Sequence, residues 1–328
     1  MLDSDVRVAW QLFNLNWIPI AVMGGILALA VTVSDFSLEP IAFGTTIGVA
    51  MLMALAAYSY SLARTRYADP KLTYSLGTLA QIILVTAIVG PLSYVAGAAN
   101  WPLQDQTFLF IDRALGMDPE PIANFVNDHP WIASFLNTGY GFIKWPLLGI
   151  PIILTMTLRL VRLQLFVGAL CLALAVTLAI STLTPAIGTL YGLDISPARF
   201  TSFNTAIYAA QLRDILALRD GSLRHLDLFH LAGIVSFPSF HAASAVLYMW
   251  ALWPVRGFAS LSIAMNLLMI AATPVIGAHY MIDVIGGILL AAGSITFAKF
   301  FLTMMAGRRN AQAASPKSWQ IQLGLDAP

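Results

Sequence analysis

Two of the five histidines stand where an imidazole can do chemistry: His241 in SFPSFHAASA and His279 in IGAHYMIDVIGG. His279 and Asp283 are i and i+4, which on a helix puts them on one face within side-chain reach. A carboxylate on one ring nitrogen holds an imidazole in a single tautomer, raises its basicity and leaves the other nitrogen free to attack or to take a proton. Pro238 and Ser239, just ahead of His241, read as a helix start, Pro suiting the first turn and Ser capping exposed amides. Free N–H groups at such an end bind anions, and beside two imidazoles the anion expected is a phosphate. Taken singly, each feature has a plain structural reading: a histidine at a helix end is commonly an interfacial residue, and HxxxD a helical ion pair. Together, in a chain this poor in charge, they point to a reaction centre, because an ionisable group near a membrane span must have its desolvation compensated.

The elements that carry these residues follow from composition. The chain has 328 residues, 59% apolar and 10% charged, with 17 Lys and Arg against 16 Asp and Glu. A soluble domain carries roughly 25% charged residues, so this chain is expected to be an integral membrane protein, all-α and polytopic. Its near-neutral balance argues against a nucleic-acid partner. The single cysteine, Cys171, lies in an apolar run and excludes disulfides and Cys-rich metal sites.

A spanning helix needs about 20 apolar residues. Eight stretches are candidates: Trp17 to Ser34, Ile41 to Ala63, Leu76 to Gly97, Tyr140 to Leu158, Leu163 to Leu183, Ala242 to Trp253, Ala259 to Val275 and Tyr280 to Met304. The sixth borders on the length of a buried core helix unless it starts upstream at Pro238. The first is read as retained, since Asp3 and Asp5 are poor signal-peptide chemistry. Arg64, Arg66 and Lys71, Arg159 and Arg162, Arg256, and Arg308, Arg309 and Lys317 fall on one side of this topology together with Arg7. By the positive-inside rule both termini are then cytoplasmic, and both histidines open their helices on the outer side.

Two outer segments are more than loops. Phe108 to Leu136 has helical spacing broken by Pro119, Pro121 and Pro130, as short interfacial helices would, and is expected to act as a packing or lid element. A second surface helix is expected around Phe203 to Leu218, with Gln211, Arg213 and Asp214 solvated.

FPSFHAASA followed about 40 residues later by GAHYMIDVIGG resembles the type 2 phosphatidic acid phosphatase superfamily, and within it the inositol phosphorylceramide synthase branch, to which sphingomyelin synthases are related. The similarity runs from Phe110 to Gly293 and includes DRALGMD at Asp112 to Asp118 and TPAIG at Thr184 to Gly188. It implies a six-helix phosphatase-like core within a catalytic bundle over residues 76–305. Before it stands an extra transmembrane hairpin, 1–75, and after it a disordered cytoplasmic tail, 306–328. It also implies roles: His279 attacks phosphorus and forms a phosphohistidine, Asp283 orients it, and His241 protonates the departing oxygen. Water as acceptor makes a lipid phosphate phosphatase; a polyol or lipid alcohol makes a phosphotransferase of lipid or sphingolipid metabolism, an inositolphosphotransferase in that branch. The substrate side is a phospholipid or lipid phosphate at the bilayer, the site faces the periplasm of a bacterial inner membrane, and no metal or other cofactor is called for.

The chain departs from the phosphatase pattern. It has PSFH where that pattern has PSGH, Thr273 six residues before His279 where it has Ser-Arg, and no Lys followed seven residues later by Arg-Pro. These departures favour the synthase branch and leave the charge-stabilising group open. Lys144, one turn inside the fourth span, is the first candidate, with Ser239, Arg199 and Arg224 behind it; each has a snorkelling, capping or solvated alternative. His225, Asp227 and His230 imitate a metal site but lack further ligands, and His129 precedes a proline in a loop. Two other classes compete: a transporter using His279 and Asp283 as a proton relay, and a bundle holding haem between the two histidines. No internal symmetry of the transporter kind is visible, and the oligomeric state is not legible.

Overall fold

The computed structural model describes residues 2–62 and 69–313 of the chain. It is an all-α bundle with seven helices long and apolar enough to cross a membrane: Asp5–Val33, Pro40–Leu62, Pro70–Gly97, Pro130–Met156, Leu160–Leu183, Ala259–Ile276 and Met281–Met305. The sixth expected span, Phe240–Leu252, is only 13 residues long. It is nonetheless central, because Ala242, Ala243, Ala245, Leu247, Tyr248 and Ala251 are all buried.

In chain order the helices are α1 (Leu2–Leu15), α2 (Trp17–Val33), α3 (Pro40–Leu62), α4 (Pro70–Gly97), α5 (Asp105–Ala114), α6 (Pro119–Asn127), α7 (Pro130–Tyr140), α8 (Lys144–Met156), α9 (Leu160–Leu183), α10 (Thr189–Gly192), α11 (Ala206–Arg219), α12 (Phe240–Leu252), α13 (Ala259–Ile276) and α14 (Met281–Ala313). The first span begins earlier than hydropathy placed it: α1 and α2 join at Asn16, and Ala9, Leu12 and Phe13 of α1 are buried. The fourth also begins earlier, since a short 3₁₀ turn, Gly141–Ile143, joins α7 to α8. Helix α14 continues through 306–313, into the segment expected as a tail; 314–328, and with them Lys317, lie outside the described residues, as do Arg64 and Arg66.

Helix α9 is the axis of the core. It packs on α4, α12 and α14, while α12 packs on α13 and α14; α3 lies outside on α4, and α1 on α9. The prolines that break Phe108 to Leu136 are helix starts. Pro119 and Pro130 occupy the first turns of α6 and α7, where a missing N–H costs nothing.

The expected surface helix exists as α11, but its polar residues are not solvated. Gln211 is 4% exposed and Asp214 5%. Gln211 Nε2 donates to the Ile187 carbonyl at 2.9 Å, and Asp214 accepts from the Tyr94 hydroxyl at 2.5 Å. Only Arg213 is exposed, paired with Asp214. The polar stripe that read as a solvent face is a set of buried tethers, because α11 lies against α4 and the 184–188 loop rather than against water.

Candidate active site

Helices α12 and α14 begin at the same end of the bundle, and each starts with one of the two motifs. The His241 and His279 ring centroids are 6.2 Å apart at an interplanar angle of 60°. His279 is 4% exposed and Asp283 fully buried. The His279 Nδ1 donates to Asp283 Oδ2 at 3.2 Å, which leaves Nε2 free. The same carboxylate oxygen accepts from the Tyr280 backbone N–H at 3.1 Å and from the Ser236 hydroxyl at 2.6 Å. Among the described residues Asp283 Oδ1 has no hydrogen-bond partner.

Asp283 also joins the two motifs. Its backbone carbonyl accepts from the Ser239 N–H at 2.9 Å, while Ser239 Oγ accepts from the Ala242 N–H and caps α12. The Phe240 and His241 amides, at the first turn of α12, meet no acceptor among the described residues. Glycines permit the approach: a Cβ on Gly287 would lie 2.2 Å from the Ser239 carbonyl oxygen, and one on Gly277 would lie 2.6 Å from the Tyr140 hydroxyl. Gly287→Ala is therefore expected to destabilise the fold by about 1–3 kcal/mol, the range for forced overpacking. A lowered melting midpoint of the protein in detergent measures it; an unchanged midpoint would mean the helices can part at no cost.

Three further elements hold the His279 loop. Ala278, just before it, adopts φ +50°, a conformation L residues rarely take and one that clusters at functional sites. The α14 N-terminus has no capping residue of its own; Asp112 of α5 supplies one, accepting from the Met281 and Ile282 amides at 2.6 and 3.0 Å. Asp105, one helical repeat earlier, accepts from the Tyr280 hydroxyl at 2.9 Å and from the Ile187 and Gly188 amides. Burial pushes both carboxyls above the ordinary carboxylate range, and the amide bonds work against that shift. The DRALGMD and TPAIG stretches thus act as the cradle of the histidine loop. Tyr140, at the end of α7, stacks on His241 with centroids 4.0 Å apart and planes 15° apart.

Asp105, Asp112, Tyr140 and Ser236 had no role in the sequence reading. A signal for the two aspartates existed: they lie seven residues apart with Phe108 and Leu109 between, on the apolar face of an amphipathic helix where a charge is out of place. Ser236 and Tyr140 carry no such mark.

The other candidates sit elsewhere. Lys144 is exposed at the start of α8. Arg199 donates to Glu120 at 3.0 Å and Asn124 at 3.1 Å, pinning the 197–200 segment to α6. Arg224 donates to the Leu218 and Leu223 carbonyls and lies over the Phe36 ring. Among the described residues, no hydrogen bond or ion pair joins a Lys or Arg to His241, His279 or Asp283. His225 hydrogen-bonds Ser37 across a two-residue strand pair, β1 (Ser37–Leu38) with β2 (His225–Leu226), whereas His230 pairs with Asp227. His129 stands at the α7 N-terminus, bonded to the Phe125 carbonyl.

Fold and site together define a polytopic helical membrane protein with a buried His–Asp pair facing a second imidazole at one end of the bundle. The PAP2 superfamily matches residues 106–297, more than half of the chain, and the chain belongs to that superfamily. Membership supports an enzyme of the lipid phosphatase and phosphotransferase type, acting on lipid phosphates in a membrane. No curated protein and no solved structure matches the chain.

Proposed function

We propose that the chain is a membrane phosphotransferase of the inositol phosphorylceramide synthase kind, moving a phospho-headgroup from a lipid to an alcohol through a phosphohistidine on His279. The observation that carries this reading is the 6.2 Å between the two imidazoles, only one of which has an orienting carboxylate. A nucleophile needs about 3–3.5 Å to the reacting atom, and a general acid about 2.6–3.2 Å to the leaving oxygen. At that separation one phosphate lying beside the two rings, rather than between them, is within reach of a nitrogen of each.

In the first step the His279 Nε2 lone pair attacks phosphorus, the bond to the leaving oxygen breaks, and His241 gives that oxygen its proton. In the second, the acceptor hydroxyl loses its proton to His241 as its oxygen attacks. The N–P bond breaks and His279 is restored. Asp283 stabilises the charge that His279 develops. The free Phe240 and His241 amides, aligned at a helix N-terminus, supply the stabilisation that Lys and Arg provide in the phosphatase pattern. Ser239 holds that terminus in place, and Lys144 is kept as a headgroup contact. The distribution of Lys and Arg supports termini in the cytoplasm and a site on the periplasmic side.

Hydrolysis differs only in its acceptor. What supports transfer is the seclusion of the nucleophile: His279 is 4% exposed, with Tyr140 stacked on its partner, and a closed site limits attack by water. The test is mass spectrometry of products after the purified protein is given candidate phospholipid donors with and without polyol or lipid-alcohol acceptors. The transferred headgroup should exceed free phosphate whenever an acceptor is present. Release of phosphate alone, whatever acceptor is added, would leave the phosphatase reading in its place.

A further inference from the structure

A second site lies at the other end of the bundle. Helix α9 forms the floor of a groove whose walls are the α1–α2 span and α14; each wall packs on α9, and the two have at most marginal contact with one another. The groove encloses about 360 Å³ and is lined mainly by apolar side chains, among them Ala175, Phe297 and Phe301. Phe297 and Phe301 are 18 and 22 residues past His279, which at 1.5 Å per residue puts the groove roughly 27–33 Å from the imidazoles along α14. It therefore opens toward the opposite leaflet and takes no part in the site described above.

Its floor is polar at one point. Asn16, 7% exposed at the joint of α1 and α2, donates its Nδ2 to the Gln164 carbonyl at 3.0 Å and to Gln164 Oε1 at 3.2 Å. Gln164 Nε2 donates in turn to Thr78 Oγ1 at 2.9 Å. The Asn16 side-chain oxygen accepts nothing among the described residues. It lies over Gly168, where a Cβ would come within 3.0 Å of it, and Asn16, Gln164 and Gly168 all line the groove. A hydrocarbon environment makes a free amide oxygen costly, and the missing partner must be a hydrogen-bond donor.

We propose that this groove binds a lipid alcohol, a molecule with a hydrocarbon body and one free hydroxyl, whose O–H donates to Asn16 Oδ1 while its chain lies along α9 between α2 and α14. A second protein helix has its backbone N–H groups already paired within it, so its backbone brings no donor to Asn16 Oδ1. An acyl or prenyl chain is thin enough, and an ordinary phospholipid tail brings no donor.

The test is photolabelling of the purified protein in detergent with a diazirine-tailed diacylglycerol and, in parallel, its O-methyl ether, with labelled peptides located by mass spectrometry. The alcohol should label the groove-facing parts of α9 and α14 roughly two- to tenfold more than the ether, the worth of one net hydrogen bond. Ala175→Trp, which fills the groove without touching Asn16, should remove that labelling. Equal labelling by the two probes, label confined to the His241 and His279 end, or cross-links between chains at the groove would each overturn the proposal. The comparison of probes is made on the natural chain, so it stands even if the variant fails to fold.

Discussion

His279→Ala is expected to lower turnover by at least about 10⁴-fold while leaving the protein folded, because in the proposed mechanism its Nε2 is the atom that forms the covalent intermediate. Removing the ring leaves a small cavity in a cradle still held by Asp105 and Asp112. Asp283→Asn should cost about 10²–10⁴-fold, since an amide cannot hold the tautomer that frees Nε2 as a carboxylate does. The two variants differ in what accumulates. Alkali-quenched natural protein should yield a phosphorylated peptide containing His279, His279→Ala none, and Asp283→Asn a slowly formed one. Full activity in His279→Ala, or a phosphorylated peptide that maps elsewhere, would remove His279 from the reaction.

His241→Gln should be nearly as severe, but selectively so. A general acid contributes typically 10²–10⁴-fold, and its worth falls as the leaving group needs less protonation. With a natural lipid donor, whose leaving oxygen is a poor anion, the variant should lose about that factor. With a nitrophenyl-activated donor the loss should shrink to roughly tenfold or less in the phosphorylation step. The measurement is the ratio of variant to natural rates for the two donors. An equal loss with both would assign His241 a structural role, as the ring on which Tyr140 stacks.

How much of this was legible in the sequence differs by distance along the chain. The His279–Asp283 contact was legible from the four-residue spacing, and the structure has it at 3.2 Å, but not by the helical route expected: α14 begins only at Met281, so His279 reaches back to Asp283 from the loop that precedes the helix. The Ser239 cap is local too. The spans were legible because a bilayer-crossing helix must satisfy its own backbone and therefore announces itself as an apolar run. Where such runs were mis-bounded, at α1 and at α7, the extra turns are amphipathic and carry their apolar residues on one side only.

Asp105 and Asp112 were legible in type but not in partner. A carboxylate in an interfacial helix has many possible donors, and only packing chooses the amides of a loop about 80 residues away and a helix start about 170 residues away. Gln211 and Asp214 were misread as solvated for the same reason: periodicity tells which residues share a face, not what that face meets. The free oxygen of Asn16 was invisible, since its significance depends on Gln164 and Gly168 arriving beside it from α9.

The sequence by itself determined that this is an all-α membrane bundle with a histidine four residues ahead of a carboxylate at the start of its last span, because composition and short-range spacing act through backbone geometry that does not depend on the rest of the chain. Tertiary structure alone decided that His241 stands opposite His279, that Asp112 caps the helix that begins just after His279, and that Arg199 and Arg224 are engaged elsewhere. Those outcomes depend on which helices pack on α9 and how closely Gly277 and Gly287 let their neighbours approach. Such shape complementarity is a property of the whole assembly and of no single segment.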